Sequence, residues 1–338
     1  MSLISNIGYF ILPNDALANL TAIYRWIGKN ESFNNALKND IDRVVEQTVQ
    51  RDSYFLARIL KLDISDTRMR LILTKDSKPR NKEEKTLFKM KESLHKIQKH
   101  YREMRHQSND LLDIVNFIYG HFGEVKFAYT AGERRAVLQS QAKKSKRLII
   151  DEINEKIDYI LKKMDYEKLI VYCHFYLDFF NIAPFIAHNQ AAGLLLLYLL
   201  LLKGEIEAFR YISFFEMLSS VFADFTKEIQ TASINWNEGL AQTLDFVRFI
   251  FKFILRAYDK AATVISEYKF DATSNKSDNI ENTIYRMPPV FTKDEIRIQH
   301  PYVSESTINR TLIKLREAGQ IKALGKGRSA KWLRIIND

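Results

Sequence analysis

The chain has 338 residues, 46% hydrophobic and 27% charged, with a formal net charge of +10. That length gives room for about two domains around a large core, and the composition excludes wholesale disorder. Scarce Gly (11) and Pro (6) argue against a many-turned β-sandwich or barrel, and the single cysteine, Cys173, excludes a disulfide framework and a cysteine-based zinc site.

Residues 1–14 carry no basic segment ahead of an apolar block, so no secretory signal is expected and the cytoplasm is the expected location. Residues 1–73 read as helices. Leu17, Leu20, Ile23, Tyr24 and Ile27 recur at helical spacing, as do Val44, Val45 and Val49. Residues 75–81 form a polar loop with a proline. Residues 85–105 follow as a helix with Leu87, Met90, Leu94 and Ile97 on one stripe. Residues 75–105 carry net charge +6. Glu83, Glu84, Glu92 and Glu103 interleave with the lysines at helical spacing, which predicts a solvated face laced by salt bridges.

Residues 111–122 continue as helix. Residues 125–139, with β-formers around Gly132, predict a small hairpin. Residues 148–164 read as an amphipathic helix, with Ile149, Ile153, Ile157 and Ile160 at its spacing. Residues 168–182 are strongly apolar, and His174 reads as a polar member of that buried helix. The pattern breaks at Pro184. Residues 193–202 (GLLLLYLLLL) are far short of the ~20 needed to cross a bilayer. They predict a helix buried on all sides, and no membrane partner. Further helices fill 214–257, and the polar stretch 271–283 reads as a linker. No internal repeat is visible.

The last segment predicts helix, turn, helix and a two-stranded wing. Thr292 is a good cap for residues 293–299. Ile308, Leu312 and Leu315 stripe the next helix, and Gly319 ends it. Residues 321–324 and 331–335 read as strands. Residues 285–338 also carry net charge +6. The order closely resembles winged helix-turn-helix modules. That resemblance implies base contacts from Ser306, Thr307, Asn309, Arg310 and Lys314, with Lys326, Arg328 and Lys331 on phosphates. Such modules also dock proteins, and the outward Ile313 suits that use.

The block 169–216 resembles the centre of Fic-domain proteins. In that family an apolar helix leads into a loop H-P-F-x-[DE]-G-N-G-R-x-x-R, then into a leucine-rich helix and a second helix opening near Y-[IV]-S. Here the loop reads A-P-F-I-A-H-N-Q-A-A-G-L from Ala183 to Leu194. Pro184, Phe185 and Asn189 match, as do Tyr211, Ile212 and Ser213 beyond the leucine helix. The resemblance, over about residues 40–265, implies a mainly α fold: a Fic-like helical core with a β-hairpin flap, plus a C-terminal winged helix. It divides the chain into an N-terminal helical region (1–100), the core (101–270), the linker (271–283) and the winged helix (284–338).

Fic proteins typically transfer AMP from ATP to a protein hydroxyl. The loop histidine is the base, the acidic residue holds Mg²⁺, the Gly-Asn-Gly backbone cradles phosphate, and the arginines neutralise it. Here the base position is Ala183 and the metal position Ala187. The glycines are His188 and Gln190, and the arginines Ala191 and Leu194. A rescue by His188 is disfavoured, because that residue lies on the cradle and not beside the hydroxyl. The family's inhibitory motif, [ST]-x-x-x-E-[GN], aligns with Ser53 to Arg58 and places Ala57 at its glutamate. Both partners of the inhibitory ion pair, Ala57 and Leu194, are then apolar. The flap pattern G-x-[FY]-R aligns with Gly132 and Arg135 and implies a protein-docking edge.

Two readings result. One is a catalytically inactive Fic-type regulator with no cofactor, acting on DNA, with the flap open to a protein partner and a homodimer compatible. The other is an adenylyltransferase with an atypical site, which would need ATP and Mg²⁺.

Overall fold

The computed structural model describes residues 2–37, 40–130, 145–273, 276–300, 303–325 and 330–335. A short 3-10 helix, Ile4–Tyr9, precedes α1 (Asn14–Ile27), α2 (Asn30–Leu37), α3 (Ile41–Ile59) and α4 (Asp66–Lys75). Then come α5 (Lys82–His100), α6 (Ser108–Tyr119), α7 (Lys146–Lys163), α8 (Lys168–Ile182) and α9 (Asn189–Lys203). Helices α10 (Phe214–Ser220), α11 (Phe222–Ala232) and α12 (Leu244–Thr273) follow. The C-terminal run is α13 (Lys276–Arg286), β1 (Val290–Thr292), α14 (Lys293–Gln299), α15 (Glu305–Glu317), β2 (Ile321–Ala323) and β3 (Lys331–Arg334). The fold is mainly helical, with one small antiparallel sheet.

The chain divides into two compact units, one of residues 1–30 and 45–261, the other of residues 31–44 and 262–338. The first unit centres on α8 and α9. Nearly all of their side chains are buried, as expected for helices apolar on every side. Glu167 starts α8 by accepting bonds from the backbone N–H groups of Leu169 (2.9 Å) and Ile170 (2.8 Å). Among the described residues no helix is long and apolar enough to cross a membrane.

The second unit has a core of Ile280, Ile284, Met287, Phe291, Ile296, Val303, Ile308, Leu312, Leu315 and Ile321, with Trp332 against it. Its sheet has the order β1-β3-β2, all antiparallel. Thr292 caps α14 in a full capping box with Glu295. Ser304 caps α15, accepting from the Thr307 N–H at 3.2 Å. Gly319 follows α15 at φ +71°, a left-handed turn that suits glycine.

Two features differ from the sequence expectation. The stretch expected as a polar linker is largely helical, because Ile280 and Ile284, one turn apart, pack into the core of the second unit. The expected two-stranded wing also gains a third strand. Phe291, with 1% exposure, holds β1 in place, and β1 pairs with β3 in the register Phe291↔Trp332.

Candidate functional site

The loop between α8 and α9 is where the sequence places the chemistry. Ala183 ends α8 with φ 45°, and its N–H donates to the Phe179 carbonyl at 3.0 Å. The Lys146 ammonium donates to the carbonyls of Ile182 (2.5 Å) and Ala183 (3.2 Å), neutralising the helix C-terminus. The Ala128 N–H donates to the Pro184 carbonyl at 2.8 Å, and the Ile186 N–H donates to the Lys126 carbonyl at 3.0 Å. Phe127 and Phe185 thus form an antiparallel bridge, with ring centroids 5.4 Å apart.

Asn189 closes the loop from the other side. Its Oδ1 accepts from the Phe185 N–H at 2.9 Å, and its Nδ2 donates to the Phe185 carbonyl at 2.7 Å. His188 sits at the N-cap of α9 with φ 61° and makes no capping bond. Its ring stacks on Tyr119, with centroids 3.8 Å apart and planes 11° from parallel. Partial burial lowers its pKa from the ordinary 6.5. Ala191 and Leu194 are buried, while Ile186, Ala187 and Gln190 are exposed. The loop therefore brings its matching residues together, but presents no carboxylate and no guanidinium. Among the described residues no group of three or more His, Cys, Asp or Glu is disposed to hold a metal ion. These residues do not fit a magnesium–nucleotide complex.

Ser53 and Ala57 lie on α3. The Ser53 hydroxyl donates to the Val49 carbonyl at 2.7 Å. Ala57 is fully buried in a cluster with Met69, Ile72, Leu73 and Leu87. Gly132 and Arg135, expected on the flap, lie outside the described residues. Of the stretch expected to form that hairpin, residues 125–130 are described, and there Tyr129 makes an isolated antiparallel bridge with Ser145. His174 is buried on α8, as expected, with Nε2 2.9 Å from the Thr243 hydroxyl, and burial lowers its pKa.

The structure also reveals buried acids that sequence reasoning missed. Asp52, with 0% exposure, accepts from the Ser213 hydroxyl (2.7 Å), the Phe215 N–H (2.9 Å) and the Tyr198 hydroxyl (3.2 Å). Burial pushes its pKa up to about 7. Asp178, also at 0% exposure, accepts from the N–H groups of Leu3 (2.7 Å) and Ile4 (3.1 Å) and from Trp236 Nε1 (2.8 Å). Burial pushes its pKa up to about 6. Asp178 is the only charged residue between Lys168 and Lys203, and that isolation was its available signal. Both acids tie helix starts to the core and lie outside the loop.

In the second unit, Ser306, Arg310 and Lys314 are exposed on α15, and Lys331 is exposed on β3. Thr307 and Asn309 are half-buried, and the Asn309 carbonyl oxygen accepts from the Lys293 ammonium at 2.8 Å. Ile313 is 44% exposed on the same helix. Lys326 and Arg328 lie outside the described residues.

Among solved structures, a Fic family protein from Desulfovibrio desulfuricans G20 is similar over 97% of this chain and 98% of its own, at 14% identity and a TM-score of 0.53. A Fic domain containing signaling protein from Bacteroides thetaiotaomicron VPI-5482 is similar over 74% of this chain and 98% of its own, at 12% identity and a TM-score of 0.55. No family model matches the chain, and no curated protein matches it. The likeness defines the fold: this chain has the fold of Fic family proteins.

Proposed function

We propose that this chain is a catalytically inactive Fic-type protein that acts as a regulator through a DNA-binding winged helix. The observation that carries the inactive reading is the loop itself. Its one retained polar side chain, Asn189, is spent on Phe185, while Lys146 from α7 binds the end of α8 and the His188 ring stacks on Tyr119. The loop itself offers a hydroxyl no base at Ala183 and a triphosphate no arginine at Ala191 or Leu194. The protein is expected to incorporate no labelled AMP into itself or into lysate proteins with Mg²⁺ or Mn²⁺. Ala183→His alone is expected to leave it inert, and calorimetry is expected to give an ATP dissociation constant in the millimolar range or weaker, roughly −4 kcal/mol at most. Label transfer by the wild-type protein overturns this reading.

The DNA-binding reading is supported by the order α13–β1–α14–α15–β2–β3, which is that of a winged helix, and by the exposed Arg310 and Lys314 on α15. Arg310→Ala is expected to weaken a selected duplex by about 1–3 kcal/mol and to blur its sequence preference. A duplex selected from a random pool, compared by fluorescence anisotropy for wild type and variant, reads both effects. Equal losses on selected and random duplexes would place Arg310 on phosphate and not on a base edge.

A further inference from the structure

Among the described residues Lys91 is the only α5 lysine with an ion pair, so the lacework of salt bridges that the sequence predicts along this helix is largely missing. Glu84 is instead taken by Arg68, at 2.8 Å with both side chains mostly buried, and by the Arg80 N–H at 2.7 Å. Asp76 and Glu46 are taken by Lys91, at 2.9 and 3.2 Å, and Glu103 lies with His100 at 3.5 Å. Lys82, Lys85, Lys96 and Lys99 are exposed, and none has an ion pair among the described residues. They share the face opposite the buried Leu87, Met90, Leu94 and Ile97, along about 25 Å of helix. Glu92 interrupts that face.

The loop before α5 continues the charge and is firmly held. The guanidinium of Arg68 donates to the Lys78 carbonyl at 2.6 Å while it pairs with Glu84. Asn81 caps α5, accepting from the Glu84 N–H at 2.8 Å. Lys78 and Arg80 are therefore exposed on a backbone fixed by a buried ion pair.

The geometry points to a binding face for the phosphate backbone of duplex nucleic acid, formed by residues 78–85 and the exposed stripe of α5. Lys78, Arg80, Lys82, Lys85, Lys96 and Lys99 outnumber Glu83 and Glu92 along this face, so the charge is in positive excess and extended, which suits a regular array of phosphates. An anionic membrane fits less well, because the exposed positions of α5 are polar and offer nothing to insert. Single strands fit less well too. The nearby exposed Phe117 and Phe122 carry lysine ammoniums over their rings, Lys89 at 4.9 Å and Lys82 at 5.4 Å, and so present no open platform for bases. This face does not depend on the winged helix, since it lies wholly in the first unit.

The test uses the full chain with a labelled random 30-base-pair duplex, titrated between about 50 and 200 mM salt. Lys78→Ala/Arg80→Ala/Lys82→Ala/Lys85→Ala is expected to bind about 100-fold more weakly at low salt, with a log–log salt slope shallower by about 3. Lys96→Ala/Lys99→Ala, a milder variant, is expected to flatten the slope by about 2. Circular dichroism and the thermal midpoint check that both remain folded. Arg310→Ala/Lys314→Ala run in parallel separates the two surfaces. If it alone abolishes binding while the α5 variants match wild type, the α5 proposal falls and the winged-helix reading stands. If the α5 variants weaken binding and it does not, the reverse holds. Absence of wild-type binding at the lowest salt overturns the α5 face, as does an α5 effect confined to phosphatidylserine vesicles.

Discussion

Replacing Asp52 by asparagine is expected to remove a large pH dependence from the folding stability. The folded carboxyl, buried among Tyr198, Ser213 and Phe215, titrates near 7, against an ordinary value of 3.8. The folded state thus holds this proton up to a higher pH than the unfolded state does. Stability from this group is fully present below about pH 4 and is lost as pH rises through 7. The loss approaches roughly 4 kcal/mol. His106 acts in the opposite sense. Burial pushes its pKa down to about 4, so its neutral folded form gains stability as pH rises from about 4 to 6.5. The wild-type curve alone mixes the two. The difference between wild type and D52N isolates the acid, because His106 is common to both. Urea unfolding at pH 4.5 and pH 8 reads that difference. D52N is expected to gain on wild type by about 3–4 kcal/mol across the interval. The amide oxygen still accepts from Ser213 and Phe215. Tyr198 keeps a donor in Gln98 Nε2, 2.5 Å away, and has the Phe209 carbonyl within reach at 3.5 Å. A gap that changes by less than 1 kcal/mol with pH would mean that the Asp52 carboxyl is ionised in the fold throughout the range.

The contrast between what the sequence showed and what it hid follows the range of the forces involved. Helices α8 and α9 were legible because each is a long apolar run, and Pro184 marks the break between them. The cap at Thr292 and the turn at Gly319 were legible because both are local chemistry. Helix α13 was not, since only Ile280 and Ile284 mark its buried side within a polar stretch. Leu17 and Tyr24, which helped mark α1 by their helical spacing, are 49% and 47% exposed, whereas Ala16, a small residue easily passed over, is fully buried. The α5 salt bridges failed as an expectation for a related reason. Spacing along one helix cannot reveal that Arg68 on α4 takes Glu84, or that Lys91 of α5 turns to Asp76 and Glu46, which lie outside its helix. Asp52 shows the limit most plainly: its partners are 146 and more positions away, and the letters around it carry no trace of them.

Asp178 gives the second large effect. Its Oδ1 accepts from the Leu3 N–H and from Trp236 Nε1, and its Oδ2 accepts from the Ile4 N–H. Asp178→Ala removes every acceptor at once and leaves those donors facing an apolar helix. Each buried donor without a partner costs about 1–3 kcal/mol, so a total loss of about 3–5 kcal/mol is expected unless the 3-10 helix lifts away to find water. Either course is measurable. Loss of stability appears as a lowered urea midpoint with an unchanged slope. Detachment appears as faster amide exchange at Leu3 and Ile4 and a red shift in the emission of Trp236, which is half-buried in the wild type. Asp178→Asn separates hydrogen bonding from charge. With its amide oxygen placed as Oδ1 it keeps two of the bonds, and it opposes only the Ile4 N–H with an amide nitrogen. It is therefore expected to lose about 1–3 kcal/mol, a fraction of the alanine effect. Equal losses in the two variants would mean that the negative charge, and not the number of acceptors, anchors the first helix to α8.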